Sequence, residues 1–184
     1  MRRDQLEHAI RAATEIIQQD AVIVIGSQAI LGTYDEDSLP DAATLSDEVD
    51  ICPLEDDDAE SLATTLDALI GEASQFHQTH GFYIQGVGRQ TAVLPAGWYD
   101  RLVRVKNDNT RGRTGLCLEP HDLCAAKLIA NREKDHRFVR ALLDERLVQE
   151  ETLRKRLEMI EGHDEMVGLA SRWLAGATRP AKQA

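Results

Sequence analysis

The sequence predicts an α+β protein, a core sheet followed by a small helical bundle, and three observations carry that reading. Short apolar runs rich in β-branched residues, each bounded by turn signals, recur before residue 119. Amphipathic helical periodicity flanks the earliest of them, and after Pro120 every apolar recurrence is helical.

The elements follow in order. Leu6, Ala9, Ile10, Ala13, Ile16 and Ile17 recur at helical spacing, which predicts an amphipathic helix over Arg2–Gln19 with its apolar stripe on the sheet. Ala21–Ile25 (AVIVI) is a continuous apolar run, the pattern of a strand buried on both faces, and Gly26-Ser27 ends it. A short helix over Gln28–Leu31 follows. Gly32–Leu45 holds Gly, Pro, Ser and acidic residues without periodicity and reads as a mobile loop. Glu48–Cys52 is the next strand. The acidic tract Asp56-Asp57-Asp58 precedes Leu62, Leu66, Leu69 and Ile70, a negatively charged first turn opening a second amphipathic helix.

Phe82–Gln85, Ala92–Leu94, Leu102–Lys106 and Leu116–Leu118 read as further strands, separated by Gly86-Val87-Gly88, Pro95-Ala96-Gly97 and Asn107-Asp108-Asn109. Helices are predicted over Asp122–Ala130, Lys134–Asp144, Glu150–Glu161 and Asp164–Ala175, with breaks at Gly162 and Gly176. The organisation expected is a core over 1–118, a helical region over 119–176 and a flexible tail over 177–184.

Composition narrows the class. A chain of 184 residues buries a real core, and 42% hydrophobic with 29% charged residues indicates neither disorder nor a coiled coil. Cys52, Cys117 and Cys124 are odd in number, sit in apolar runs and lack C-x-x-C spacing, which points to core thiols in a reducing compartment. The longest apolar run, Ala21–Ile25, is too short to cross a bilayer, so a cytoplasmic location without membrane association is expected. A net charge of -11 argues against a broad nucleic-acid surface, and no DNA partner is expected. Arg101, Arg104, Lys106, Arg111 and Arg113 nevertheless cluster locally, either as a solvated hairpin face or as an RNA-facing patch.

The chemistry concentrates in VIVIGSQAIL and LSDEVDICP. Alternate residues of a strand share a face, so Glu48 and Asp50 project together while Val49 and Ile51 enter the core. Their Cα atoms stand roughly 6 to 7 Å apart, a spacing that suits two carboxylates around hard divalent cations. Gly26-Ser27 at the mouth of the preceding strand offers backbone N–H groups and a hydroxyl to phosphates. Taken singly each feature has an ordinary explanation: an edge-strand face for the acids, a turn for Gly26-Ser27, solvated helix charges for Lys127 and Asp135. His121 and Asp122 read as a helix entrance, His77 and His80 as turn or surface residues, and Trp98 as an anchor for its loop.

Together these residues resemble the DNA polymerase β type nucleotidyltransferase superfamily, in which a strand ending in Gly-Ser precedes a strand with two acids at alternate positions. GLCLEPHDLCAAKLIANREKDHRFVRALL, with a helical Lys followed by a Lys-Asp pair, is similar to the nucleotidyltransferase-like proteins of abortive-infection and toxin-antitoxin systems. The resemblance spans about Val22 to Leu143. It implies a nucleotidyltransferase-type mixed sheet flanked by helices and a C-terminal helical block that brings Lys127 and Asp135 to the site.

By the same resemblance Gly26, Ser27 and Lys127 hold nucleotide phosphates, and Glu48 and Asp50 hold Mg2+ or Mn2+. Asp135 supports the site, completing the metal shell or acting as base. The implied activity moves a nucleotide from an NTP to a tRNA or protein acceptor, in a toxin restrained by an antitoxin partner or in a phage-defence system. The alternative is a catalytically inactive binding or regulatory protein of the same fold. It is motivated by Glu48, where the superfamily usually has Asp, and by the net negative charge; the loop from Gln28 to Asp47 is also longer than in the smallest family members. No third carboxylate can be placed on the central strands; Gln85 and Asp100 are loose candidates, and Asp135 is the preferred substitute. On a continuous helix Lys127, Asn131, Lys134 and Asp135 would share one stripe, an argument that lapses if the helix breaks near Asn131.

Overall fold

The computed structural model describes residues 1–54 and 58–177. Of the expected tail over 177–184, Ala177 is helical and the rest lies outside the described residues, as do the first two residues of the acidic tract, Asp56 and Asp57.

The run AVIV becomes β1 (Ala21–Val24), the middle strand of a five-stranded sheet, and Val22, Ile23 and Val24 are fully buried. On one side β2 (Glu48–Pro53) pairs with it antiparallel, and β3 (Tyr83–Gly86) pairs parallel to β2. On the other side β5 (Thr114–Cys117) runs parallel to β1, and β4 (Val103–Val105) closes the edge antiparallel to β5. The mixed sheet, order β3-β2-β1-β5-β4, is flanked by helices and followed by a helical block, the α+β architecture of the nucleotidyltransferase type.

Helix α1 (Arg3–Ile17) lays Leu6, Ala9, Ile10, Ala13 and Ile17 on the sheet. At Gly115 of β5 a Cβ would meet Ile10 Cδ1 at 2.3 Å, so the small residue lets the helix close on the strand. Four-residue α2 (Asp41–Thr44) lies before β2, and α3 (Ala59–Ile70) packs along β2 and β3 behind its N-cap Asp58. The C-terminal block comprises α5 (Pro120–Ala130), α6 (Glu133–Asp144), α7 (Glu150–Glu158) and α8 (Asp164–Ala177), with α4 (Gln75–His80) on the other side of the chain order, just before β3. Helix α5 is the centre of the block: it touches α6, α7 and α8 as well as the turn that follows β1. It is buried almost all round, from Pro120 to Ile129.

Several expectations need correction. Ala92–Leu94 forms no strand; a 3-10 turn over Arg89–Thr91 precedes it, and Ala96 N–H donates to Met159 O at 2.9 Å, drawing the segment toward the end of α7. The loop over Gly32–Leu45 is tied down at several points rather than free. Arg3 N–H donates to Glu36 Oε2 (2.9 Å), Tyr34 Oη donates to Leu147 O (2.7 Å), and Ala43 is buried. Residues 75–80 are helical because Ser74 caps them, accepting from His77 N, and Gly81 leaves them in the left-handed region at φ 71°.

Helix α5 starts at Pro120, with Glu119 as N-cap accepting from the N–H groups of His121 and Asp122. Fully buried Asp122 has a different task from capping. Arg101 donates to both its oxygens at 2.8 and 3.0 Å, and Arg156 Nε lies 3.0 Å from Oδ1, which fastens the loop carrying Trp98 to α5 and α7. Arg101 therefore drops out of the basic cluster, and Arg113 and Arg111 pair with Asp20 and Glu15. All three cysteines are buried and none forms a disulfide, and burial pushes the Cys117 thiol up to about 12 and Cys124 upward too. Among the described residues no helix is long and apolar enough to cross a membrane.

Candidate functional site

The site is built where β1 ends beside β2. Along β2 the burial alternates, with Val49 and Ile51 fully buried and Glu48 and Asp50 half-buried on the opposite face. Both acids line a cavity of about 670 Å³. Gly26 lines it as well, and the reason for glycine there is steric. A Cβ at Gly26 would stand 1.5 Å from Asp50 Oδ2, so any side chain would displace the carboxylate. Ile25 N–H donates to Asp50 O at 3.2 Å, which locks the turn against the strand that carries the acids.

The two carboxylates stand close enough to act on one another. Burial pushes the Asp50 carboxyl up to about 6, reinforced by the charge of Glu48 and a hydrogen bond with it, while Lys127 and Lys134 pull the other way. Tyr83 on β3, in register with Glu48, donates its hydroxyl to Glu48 Oε2 at 3.3 Å. Burial and the neighbouring Glu48 push this phenol up to about 12, so it stays a donor. Gln85, the next residue of β3 on the same face, is in register with Asp50 and lines the cavity.

Lys127 approaches from α5. Its Nζ donates to Ser27 Oγ (2.7 Å) and to Asp135 Oδ1 (3.1 Å), and it stands 4.5 Å from the centre of the Phe138 ring. Asp135 is 1% exposed, and its second oxygen accepts from Arg132 Nε at 2.5 Å. Burial alone would raise the Asp135 carboxyl, but the Arg132 hydrogen bond and the charge of Lys127 hold it below the usual carboxylate range.

The helix does break at Asn131, which adopts φ 55°, with Arg132 as N-cap of α6. The single polar stripe is thus not what unites Lys127 and Asp135; the corner between α5 and α6 is. Asn131 ends α5 in the left-handed region, where short polar side chains are tolerated best after glycine.

The structure brings Gly26, Ser27, Glu48, Asp50, Lys127 and Asp135 into one neighbourhood, in two arrangements. Glu48, Asp50, Gly26 and Lys127 line the cavity, whereas Ser27 and Asp135 hold Lys127 from behind. Asp100 belongs to the 3-10 turn Trp98–Arg101 and does not line the cavity. Gln85, a loose candidate from the sequence, lines the cavity, and so does Arg132, which the sequence does not single out. The rest of the wall is largely apolar: Val87, Val93, Leu123, Ile129 and Met166, with His163 beside them.

The donor set fits a divalent cation. Magnesium takes one or two carboxylates and fills its remaining positions with water and substrate phosphate oxygens, and here two acids share a face that Gly26 leaves unobstructed. Among the described residues there is no group of three or more His, Cys, Asp or Glu placed to hold a metal.

No curated protein and no solved structure matches the chain. A family model described as "Nucleotidyltransferase of unknown function (DUF6036)" matches residues 4–170, from α1 into α8, and so takes in the whole site. With nearly the full length matched, the chain belongs to this nucleotidyltransferase family.

Proposed function

We propose that the protein is a cytoplasmic, metal-dependent nucleotidyltransferase that moves a nucleotide from an NTP to an RNA or protein acceptor. One observation supports this above the others: Glu48 and Asp50 face a cavity together while Lys127, on another element, is fixed at its wall by Ser27 and Asp135. That arrangement sets two anionic oxygen donors against a cation, the pattern that holds a triphosphate through its metal and its charge.

In the reaction an acceptor hydroxyl oxygen forms a bond to the α-phosphorus and the α–β bridging P–O bond breaks. Pyrophosphate leaves with the electron pair, and the hydroxyl proton passes to solvent. A bound divalent cation would offset the charge that develops on the phosphate oxygens. Gly26 lets the phosphates approach the backbone, Lys127 neutralises their charge, and the apolar wall excludes water from around the nucleoside. Incubation with labelled NTPs, magnesium, and cellular RNA or protein is expected to give labelled product with wild type and none with Asp50→Asn. Absence of incorporation by wild type, or equal incorporation by the variant, overturns the proposal.

The setting implied by the sequence resemblance, a toxin restrained by an antitoxin or a phage-defence component, is part of the same proposal and rests on that resemblance alone. Its test is growth on induced expression: wild type arrests growth and Asp50→Asn does not. A second reading, a binding or regulatory protein without turnover, is favoured by Gln85, a neutral amide in register with Asp50 where another acid would extend the donor set. Calorimetry with magnesium and NTP separates the two, because metal-dependent binding without product formation selects the second.

A further inference from the structure

The cavity has a second cation that the chemistry above leaves without a task. Arg132 lines it, at the corner between α5 and α6, and its side chain is 59% exposed. Its Nε is held by Asp135 Oδ2, and Asp135 also holds Lys127 through Oδ1. One buried carboxylate thus orients two cations, Lys127 at the turn after β1 and Arg132 at the mouth. No hydrogen bond from the two terminal nitrogens of Arg132 is made within the described residues, and the residue lines the cavity. A guanidinium tethered at Nε keeps two parallel N–H groups in one plane, the geometry that grips a phosphate through two oxygens.

Resting on the nucleotidyltransferase reading, we propose that Arg132 binds the β,γ-phosphates of the incoming nucleotide and the pyrophosphate that leaves. The site then discriminates by phosphate number: a triphosphate reaches both cations, whereas a monophosphate reaches Lys127 alone. Asp135 is a positioning residue for both. Its two oxygens are occupied, and it does not line the cavity. Lys134 adds to the positive potential near Asp50 from the exposed first turn of α6.

Arg132 is exposed enough to be replaced without disturbing the core, and the Lys127–Asp135 pair is made through the carboxylate oxygen that Arg132 does not use. The test is calorimetry in magnesium with three probes, an NTP carrying a non-cleavable α–β linkage, inorganic pyrophosphate and the matching NMP, on wild type, Arg132→Gln and Arg132→Lys. For Arg132→Gln, NTP and pyrophosphate affinity are expected to fall on the order of tenfold or more, the strength of a charge-assisted pair of hydrogen bonds, with NMP affinity unchanged. Arg132→Lys recovers part of the loss, as a point charge without the fork. Equal NTP affinity in wild type and Arg132→Gln overturns the role of Arg132 while leaving the nucleotidyltransferase reading intact. A parallel loss for NMP shows a merely structural effect and also overturns it, and a wild type that binds no NTP overturns both.

Discussion

Asp50→Asn is expected to raise the melting temperature of the metal-free protein at neutral pH while it abolishes nucleotide transfer. The Asp50 carboxyl, pushed from 3.8 up to about 6 by burial and by Glu48, is harder to ionise in the folded chain than in the unfolded one. The folded state therefore holds more protons between those values, and stability falls as pH rises through the interval. The penalty is fully present above about 6 and absent below the unfolded value. An amide carries no charge and escapes it. Because Asp50 is half-buried and partly screened, a gain on the order of 1 kcal/mol is expected at neutral pH. Thermal melts of both proteins across pH, with and without magnesium, check this. The advantage of Asn should vanish in acid, and magnesium should stabilise wild type alone. A variant destabilised equally at every pH would contradict the account.

Asp135→Ala should have the opposite sign and a larger size. It removes the carboxylate that Lys127 and Arg132 share, leaving a nearly buried ammonium with Ser27 Oγ as its remaining hydrogen-bond partner among the described residues. Breaking a buried pair in this way costs about 3 kcal/mol, measurable as a shift in the denaturant midpoint. Asp135 is held below the usual carboxylate range, so its contribution is present above the unfolded value and is lost as pH falls through the folded one. The difference between variant and wild type should therefore be greatest at neutral pH and close in acid. A difference that is constant in pH would show that lost packing, rather than the ion pair, is responsible.

The middle of the sheet was legible because AVIVI and EVDIC carry their own signals: an uninterrupted apolar run for a strand buried on both faces, strict alternation for one with a polar face. Those same signals identified Glu48 and Asp50 as neighbours, and the packing around Gly26 adds why the turn between the strands is glycine. What was not legible depended on partners distant in sequence. Ala92–Leu94 has the composition of a strand, but its neighbour is the end of α7. Gln85 gains its place from the parallel register of β3 on β2, which no local pattern encodes. Arg132 looks like any solvated helix-cap residue until the left-handed turn at Asn131 aims it back over the cavity. The expected loop before β2 is held by Tyr34 and Glu36 through groups on α1 and ahead of α7, again invisible to periodicity.

The hydrogen bond from Lys127 to Ser27 joins residues 100 positions apart, and the parallel pairing of β1 with β5 spans nearly as much chain. Such closures come late, since a long loop must lose its freedom before any contact rewards it. During synthesis both acids leave the ribosome well before the two cations do. A nascent chain therefore carries Glu48 and Asp50 without the two cations that join them at the cavity until the final third of the polypeptide has docked.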